Sequence, residues 1–280
     1  MAENSLLKVT LIETKSAQAY TDVMAALADF QYRRLPPPAQ AASGRHVLEI
    51  GSAILQFSPN QPIPIANRVY NLGVGEPATR TQVTRLADAY ASRRLPFRIE
   101  LSPLARPSDL PDWIREVGGV PATNSQVFSR ASAPIAEPKT SLRIERVGLA
   151  AANDFLEPYL FGSEMPRSAE LTLRAYFEVP GTSFYAAYAD GEAVAAGWTF
   201  VTGTSAYLAG AATKPGYRGL GAQSALLARR IKDAQLSGCL RTFVDTDEAP
   251  PGQPNPSFRN VLRAGFQPVF VLRVFEGTSG

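Results

Sequence analysis

Apolar and polar residues follow strand and helix periods through most of this 280-residue chain, and the period changes at recognisable stops. In the second half, Leu142–Val147 alternates as a strand, and Ala151–Phe161 and Ser168–Val179 repeat at helical spacing. Ser183–Ala189 and Ala193–Thr202 alternate again around Asp190-Gly191, a hairpin turn signal. Thr204–Thr213 is the next strand. Leu220, Ser224, Leu227, Ile231 and Ala234 then recur alternately four and three residues apart, which predicts a helix. Leu240–Asp245 reads as a strand, Pro256–Ala264 as a helix closed by Gly265, and Val269–Phe275 as a last strand.

The first half has a fainter version of the same order. Val47–Phe57 and Arg68–Val74 read as strands, Thr79–Arg94 as a helix and Phe97–Leu101 as a strand. Leu110–Val117 reads as a helix and Gln126–Arg130 as a strand. Between the halves, Ser132–Thr140 has two prolines, small residues and no apolar period, as a linker does. The expected division is 1–131, linker 132–140 and 141–280. Pro36, Pro37 and Pro38 read as a helix stop and spacer.

The candidate chemistry sits where the strand ending at Thr213 meets the following helix. The turn is Lys214-Pro215-Gly216-Tyr217-Arg218-Gly219-Leu220-Gly221-Ala222-Gln223. Glycines at a strand-to-helix turn expose backbone N–H groups, and the helix start adds partial positive charge. Such a turn suits a phosphate or pyrophosphate. It has neither the Lys-Ser/Thr ending of a P-loop nor the third glycine of a dinucleotide fingerprint.

What the turn resembles is the GNAT superfamily of acyl-CoA-dependent N-acyltransferases, with its Gln/Arg-x-x-Gly-x-Gly/Ala signature after the fourth strand. Arg218 and Gly221 match, and Gln223 stands where Gly or Ala is usual. A second segment, from Asn255 to Gly265-Phe266, is similar to the family's last long helix, opened by an Asn and closed by Gly-Phe. The element order of 141–277 is also that of the family. The resemblance implies an α/β (α+β) fold of two tandem GNAT-like domains, each a mixed, mostly antiparallel sheet flanked by helices. The first would be a degenerate copy. Its equivalent turn, Gly73–Thr79, lacks the signature. There Glu76 would repel a pyrophosphate, and Pro77 has no N–H to offer.

The resemblance also implies roles. Acetyl-CoA would be the acyl donor, with Ala211, Ala212 and Thr213 beside its pantetheine arm. Amides of Arg218, Gly219, Leu220, Gly221, Ala222 and Gln223 would cradle its pyrophosphate. Asn255 would touch the arm, with Phe258 and Arg259 flanking it. The acceptor would be a small-molecule or peptide amine, attacking the thioester directly. Many members carry a Tyr as general acid four residues before the Gly of the Gly-Phe pair, and here that position is Val261. The remaining acid–base candidates are Tyr207, Asp245 and Glu164, with Asp247 beside Asp245 at the strand end. Each also has an ordinary reading, as strand packing, turn former or loop charge. A non-catalytic acyl-CoA-binding module is the alternative to an enzyme.

Composition narrows the classes. Hydrophobic residues make up 45% and charged residues 19%, as in a globular chain. A net charge of +3, with no basic run, gives no reason to expect nucleic acid. One cysteine, Cys239, and one histidine, His46, exclude disulfides within the chain, His-dependent triads and multi-histidine metal sites, so no metal is expected. The start of the chain lacks the apolar run of a signal peptide, and no stretch approaches a membrane span. A cytoplasmic location is the expectation.

Overall fold

The computed structural model describes residues 2–248, 252 and 255–278. In chain order the elements begin with α1 (Ala2–Arg33), α2 (Pro37–Ser43), β1 (His46–Ile50), β2 (Ala53–Phe57) and β3 (Arg68–Tyr70). They continue with α3 (Arg80–Ala91), β4 (Phe97–Leu101), α4 (Leu110–Glu116), β5 (Val120–Pro121) and β6 (Ser125–Ala131). The second half has β7 (Arg143–Val147), α5 (Ala152–Gly162), α6 (Glu170–Ala175), β8 (Thr182–Ala189), β9 (Glu192–Thr202), β10 (Ser205–Tyr207) and β11 (Ala211–Thr213). It ends with α7 (Ala222–Leu236), β12 (Arg241–Asp247), α8 (Pro256–Arg263) and β13 (Gln267–Gly277).

Several boundaries differ from the sequence reading. The strand expected over Val47–Phe57 is a hairpin, β1 and β2, turning at Gly51 with φ +59°. Gly51-Ser52, a two-residue turn signal inside the run, reverses the chain on left-handed backbone at the glycine. The helix expected from Ser168 to Val179 is a short α6 between two 3-10 turns. Leu220 lies outside α7 and is exposed.

The chain forms two compact units. One comprises Met1–Val127, Asp245–Glu248 and Pro268–Gly280, and the other Phe128–Val244 and Ala249–Gln267. Each therefore takes chain from both sides of the Ser132–Thr140 stretch.

In the first unit, β1, β2 and β3 run antiparallel in order, β3 pairs β4 in parallel, and β4 pairs β13 antiparallel. Helix α3 makes the β3–β4 crossover, as a parallel pair requires. Its core joins Leu55, Phe57, Val69, Leu86, Tyr90 and Ile99, all fully buried. The lone histidine, His46, stacks on Phe57 with ring centroids 4.9 Å apart, a packing role. Charge is also buried here. Glu100 is bonded by Arg98 at 2.8 Å and approached by Arg68 at 3.8 Å, and Arg98 also bonds Glu276 at 2.8 Å.

In the second unit, β7, β8, β9 and β10 form an antiparallel meander, and β10 pairs β12 in parallel across α7. Helix α7 buries Leu226 and Ile231 completely, with Ala222, Ala225 and Ala234 close behind. Leu226 packs with Tyr185, Ala187 and Val194 of the sheet. Helix α5 contacts β8, β9 and β11. The segment expected as a linker packs onto α7, leaving a groove of about 510 Å³ lined by Pro134, Ile135, Leu142, Ala225 and Ala228. Cys239 is buried, and burial pushes its thiol pKa up, away from the reactive thiolate. No described helix is long and apolar enough to cross a membrane.

Burial would raise the Glu100 carboxyl, but Arg68 and Arg98 outweigh it and hold the pKa below the usual value of 4.5. The carboxylate's contribution to stability is therefore complete above about pH 4.5 and is lost as pH falls through the lower folded value. Glu100→Gln should cost about 3 kcal/mol at pH 7, because it removes the negative charge that Arg68 and Arg98 share. The difference from wild type should shrink below pH 4.5. Urea midpoints of the two proteins across pH 3–7 check this.

Candidate functional site

The fourth strand of the second unit is interrupted. Pairing of β10 with β12 runs from Ser205↔Arg241 to Tyr207↔Phe243, and the Leu208 N–H donates to the Phe243 carbonyl at 2.8 Å. After Leu208 the chain changes allegiance. Strand β11 pairs with β9 through Ala211↔Gly197, Ala212↔Ala196 and Thr213↔Ala195. The sequence reading of one continuous strand over Thr204–Thr213 is thus corrected to two short strands around a break at Leu208–Gly210. Among the described residues, the N–H groups of Ala209 and Gly210 have no protein acceptor.

Two helices hold this break from opposite sides. Arg230 of α7 is fully buried, and its Nη1 donates to the Ala209 carbonyl at 2.8 Å and the Trp198 carbonyl at 3.1 Å. From α5, the Tyr159 hydroxyl lies against Gly210, where an added Cβ would sit 2.2 Å from it. One turn on, Gly162 meets the backbone of Thr213 so closely that its own Cβ would lie 2.9 Å away. Small residues at 162 and 210 are what let α5 lie down on the strand.

The turn after β11 is held at both ends. Lys214 donates to Glu192 at 2.7 Å, and the Tyr217 hydroxyl donates to the same carboxylate at 2.8 Å. The Thr140 hydroxyl donates to the Leu220 carbonyl at 3.0 Å. Gly219 and Gly221 have φ of +87° and +83°, values that residues with a Cβ rarely adopt. Gly221 is the N-cap of α7 and offers no capping side chain. The first helical bond is Ala225 N–H to the Gly221 carbonyl. Among the described residues, the N–H groups from Gly219 to Ser224 have no protein acceptor. Arg218 is exposed and forms no ion pair with a described residue. The result is a row of free donors at a helix start with a cation beside it, a geometry suited to an anion.

The equivalent turn of the first unit is closed. Helix α3 opens with a capping box, in which Thr79 accepts from the Gln82 N–H and Gln82 accepts from the Thr79 N–H. Arg106 donates to the Gly75 carbonyl at 2.8 Å, and the Arg106 carbonyl accepts the Ala78 N–H. The donors that α7 leaves open are used internally here.

Other residues singled out in the sequence sit as follows. Ala211, Ala212 and Thr213 form β11, and the Gln223 side chain donates to Thr213 Oγ1 at 2.9 Å. Gln223, the departure from the family pattern, thus ties the turn to the strand. Asn255 caps α8 by accepting the Phe258 N–H at 3.0 Å, and α8 packs beside α7. The Phe258 ring meets Phe128 edge-on at 4.9 Å, and Arg259 is exposed. Val261, in the position where the family often has Tyr, is buried. Tyr207 is buried on β10. Asp245 is half-buried in the first unit, where the Tyr20 hydroxyl lies 3.4 Å from it, and Asp247 is exposed. Glu164 is exposed on left-handed backbone, φ +54°, after α5. Arg230 and Tyr159 escaped the sequence reading. Arg230 follows Arg229 as a pair that looks like a solvated face, and only the fold brings the Ala209 and Trp198 carbonyls to it.

The fold agrees with comparison to known proteins. Residues 149–252 match the acetyltransferase (GNAT) family. The match lies within the second half of the chain. No curated protein sequence matches it. Among solved structures, a GCN5-related N-acetyltransferase from Kribbella flavida superposes with a TM-score of 0.60 at 16% identity, covering 86% of this chain and 95% of that one. A tandem GNAT protein from the clavulanic acid biosynthesis pathway gives 0.60 at 13% identity, covering 95% of this chain and 96% of that one. A putative GNAT-family acetyltransferase from Novosphingobium aromaticivorans gives 0.55 at 16% identity, over 84% and 92%. At these identities the likeness is one of fold, and the fold is that of a tandem GNAT protein, with the open turn in the second half.

Gly162→Ala should drive α5 off β11. The loss expected is about 1–3 kcal/mol, as for other overpacked sites, read as a lower thermal midpoint with unchanged far-UV circular dichroism.

Proposed function

We propose that the second half binds an acyl-CoA, acetyl-CoA in the first instance, and transfers its acyl group to the amine of a small molecule or peptide. The observation carrying this reading is the row of open N–H groups from Gly219 to Ser224 at the uncapped start of α7. The fold is one that supports acyl transfer from acyl-CoA. The turn would take the pyrophosphate, with Arg218 adding charge. The pantetheine arm would run beside Ala211, Ala212 and Thr213, where β11 has left β12, with Asn255, Phe258 and Arg259 on its other flank. The cosubstrate supplies an activated thioester. The chain supplies alignment and polar groups around it, and alignment alone accounts for much of the rate in such direct transfers.

Of the side chains weighed for proton transfer, Glu164 is exposed to solvent and Tyr207 is buried in the strand. Asp245 has a tyrosine beside it. We assign the incoming amine's proton to solvent through one of these groups, with Tyr207, in the same unit as the open turn, as the first to substitute. A second reading, a non-catalytic acyl-CoA-binding module, draws on one observation: apolar, buried Val261 at the usual position of the acid.

Calorimetric titration should give micromolar binding of acetyl-CoA and none of ATP or NAD. Gly221→Trp should abolish it by filling the turn. Arg218→Ala should weaken it about tenfold at low salt and less at high salt. Failure of acetyl-CoA and of longer acyl-CoAs to bind would end the proposal. Binding without thiol release across a panel of amines would favour the second reading.

A further inference from the structure

Arg230 is a buried cation without an anion. Its side chain is fully enclosed between α7 and the sheet. Among the described residues it forms no ion pair. Its hydrogen bonds go to three carbonyls, those of Ala209, Trp198 and Leu226. Burial is the main cause that pushes its pKa down to about 10, still charged at neutral pH. Enclosing a lone charge costs several kcal/mol, and an apolar side chain of like volume is often as good for stability. Room is also reserved for it: a Cβ on Gly197 would sit 3.1 Å from the guanidinium.

The bond to Ala209 falls at one particular peptide. The Ala209–Gly210 unit lies in the break of the fourth strand, and the Gly210 N–H has no protein acceptor among the described residues. In a trans peptide the carbonyl and the N–H point in opposite directions. With the Ala209 carbonyl turned to Arg230, the Gly210 N–H is aimed away from α7. Gly210 is open to solvent there, beside the Tyr159 hydroxyl. A cation on the carbonyl withdraws electrons across the amide and strengthens its N–H as a donor, and chains of such bonds reinforce one another at low dielectric.

We propose that Arg230 is a positioning residue which holds and polarises the Ala209–Gly210 peptide, so that the Gly210 N–H donates to the acyl carbonyl oxygen. This rests on the acyl-CoA reading above. As the amine nitrogen bonds to the acyl carbon, the carbonyl electrons shift onto oxygen, where the Gly210 N–H meets them. They return as the C–S bond breaks with its electron pair on sulfur, and the proton released by nitrogen balances the thiol. A fixed donor aimed at the developing charge stabilises that step more than the ground state.

The test uses the full chain and acetyl-CoA labelled with ¹³C at the thioester carbonyl. Infrared difference spectra report how strongly the bound carbonyl is polarised, without any acceptor. Wild type should move the carbonyl stretch to lower wavenumber. Arg230→Met should bind acetyl-CoA with a similar Kd by calorimetry, lose most of that shift, and lose about tenfold in kcat at unchanged KM. An unchanged shift in Arg230→Met would overturn the inference and leave the acyl-CoA reading standing. Absence of acetyl-CoA binding by wild type would overturn both. If Arg230→Met does not fold, Arg230→Lys decides. A smaller downshift at equal Kd supports the role, and an equal downshift overturns it.

Discussion

Everything at the candidate site depends on the change of pairing partner after Leu208. A β-strand with both edges satisfied has no backbone groups to offer. Here β10 is zipped to β12 as far as Leu208, while β11 is zipped only to β9. That leaves donors at 209–210 in the middle of an otherwise closed meander. Unpaired backbone inside a sheet is costly, and some other part of the structure must hold it in place. Arg230 does so from one side, and α5, through Tyr159 and Gly162, from the other.

The two halves make opposite use of the same plan. Each has a parallel strand pair joined by a crossover helix, β3–α3–β4 and β10–α7–β12. In the first half the helix start satisfies itself through Thr79 and Gln82, and Arg106 closes the glycine turn. In the second half the N-cap is a left-handed glycine, and the donors stay open. A capping box adds about 1 kcal/mol of stability. A glycine N-cap costs only a few tenths of a kcal/mol by comparison and leaves the donors open to an anion. Both turns have two glycines with positive φ, so the difference between them lies in capping and not in the glycine count.

Gln223 gives a second case of local chemistry with a wider effect. The family pattern has a small residue there, and here a longer side chain stands in its place. It folds back to Thr213 instead and fastens the turn to β11. The turn is thereby tied to the strand at Gln223, to Glu192 through Lys214 and Tyr217, and to Thr140 through Leu220. The donors it carries are held by three separate parts of the second unit.

The sequence by itself determined the broad succession of strands and helices in the second half, the glycine turn, the cap at Asn255 and the absence of the signature from Gly73–Thr79. These are local matters of period, turn chemistry and residue size, readable without knowing what lies across the sheet. Only the tertiary structure decided where the fourth strand breaks, because Ala206 to Ala212 is an unbroken run of small and apolar residues and β12, which holds β10 on one side, comes only after α7. The same holds for Arg230. In the chain it is half of an Arg–Arg pair on a helix, and nothing local separates it from Arg229. Arg229 ends beside Asp233 near the surface, while Arg230 is enclosed against two strands. Which of two neighbouring arginines becomes a buried cation is set by the side of α7 that faces the sheet, and that side is fixed by packing over the whole unit.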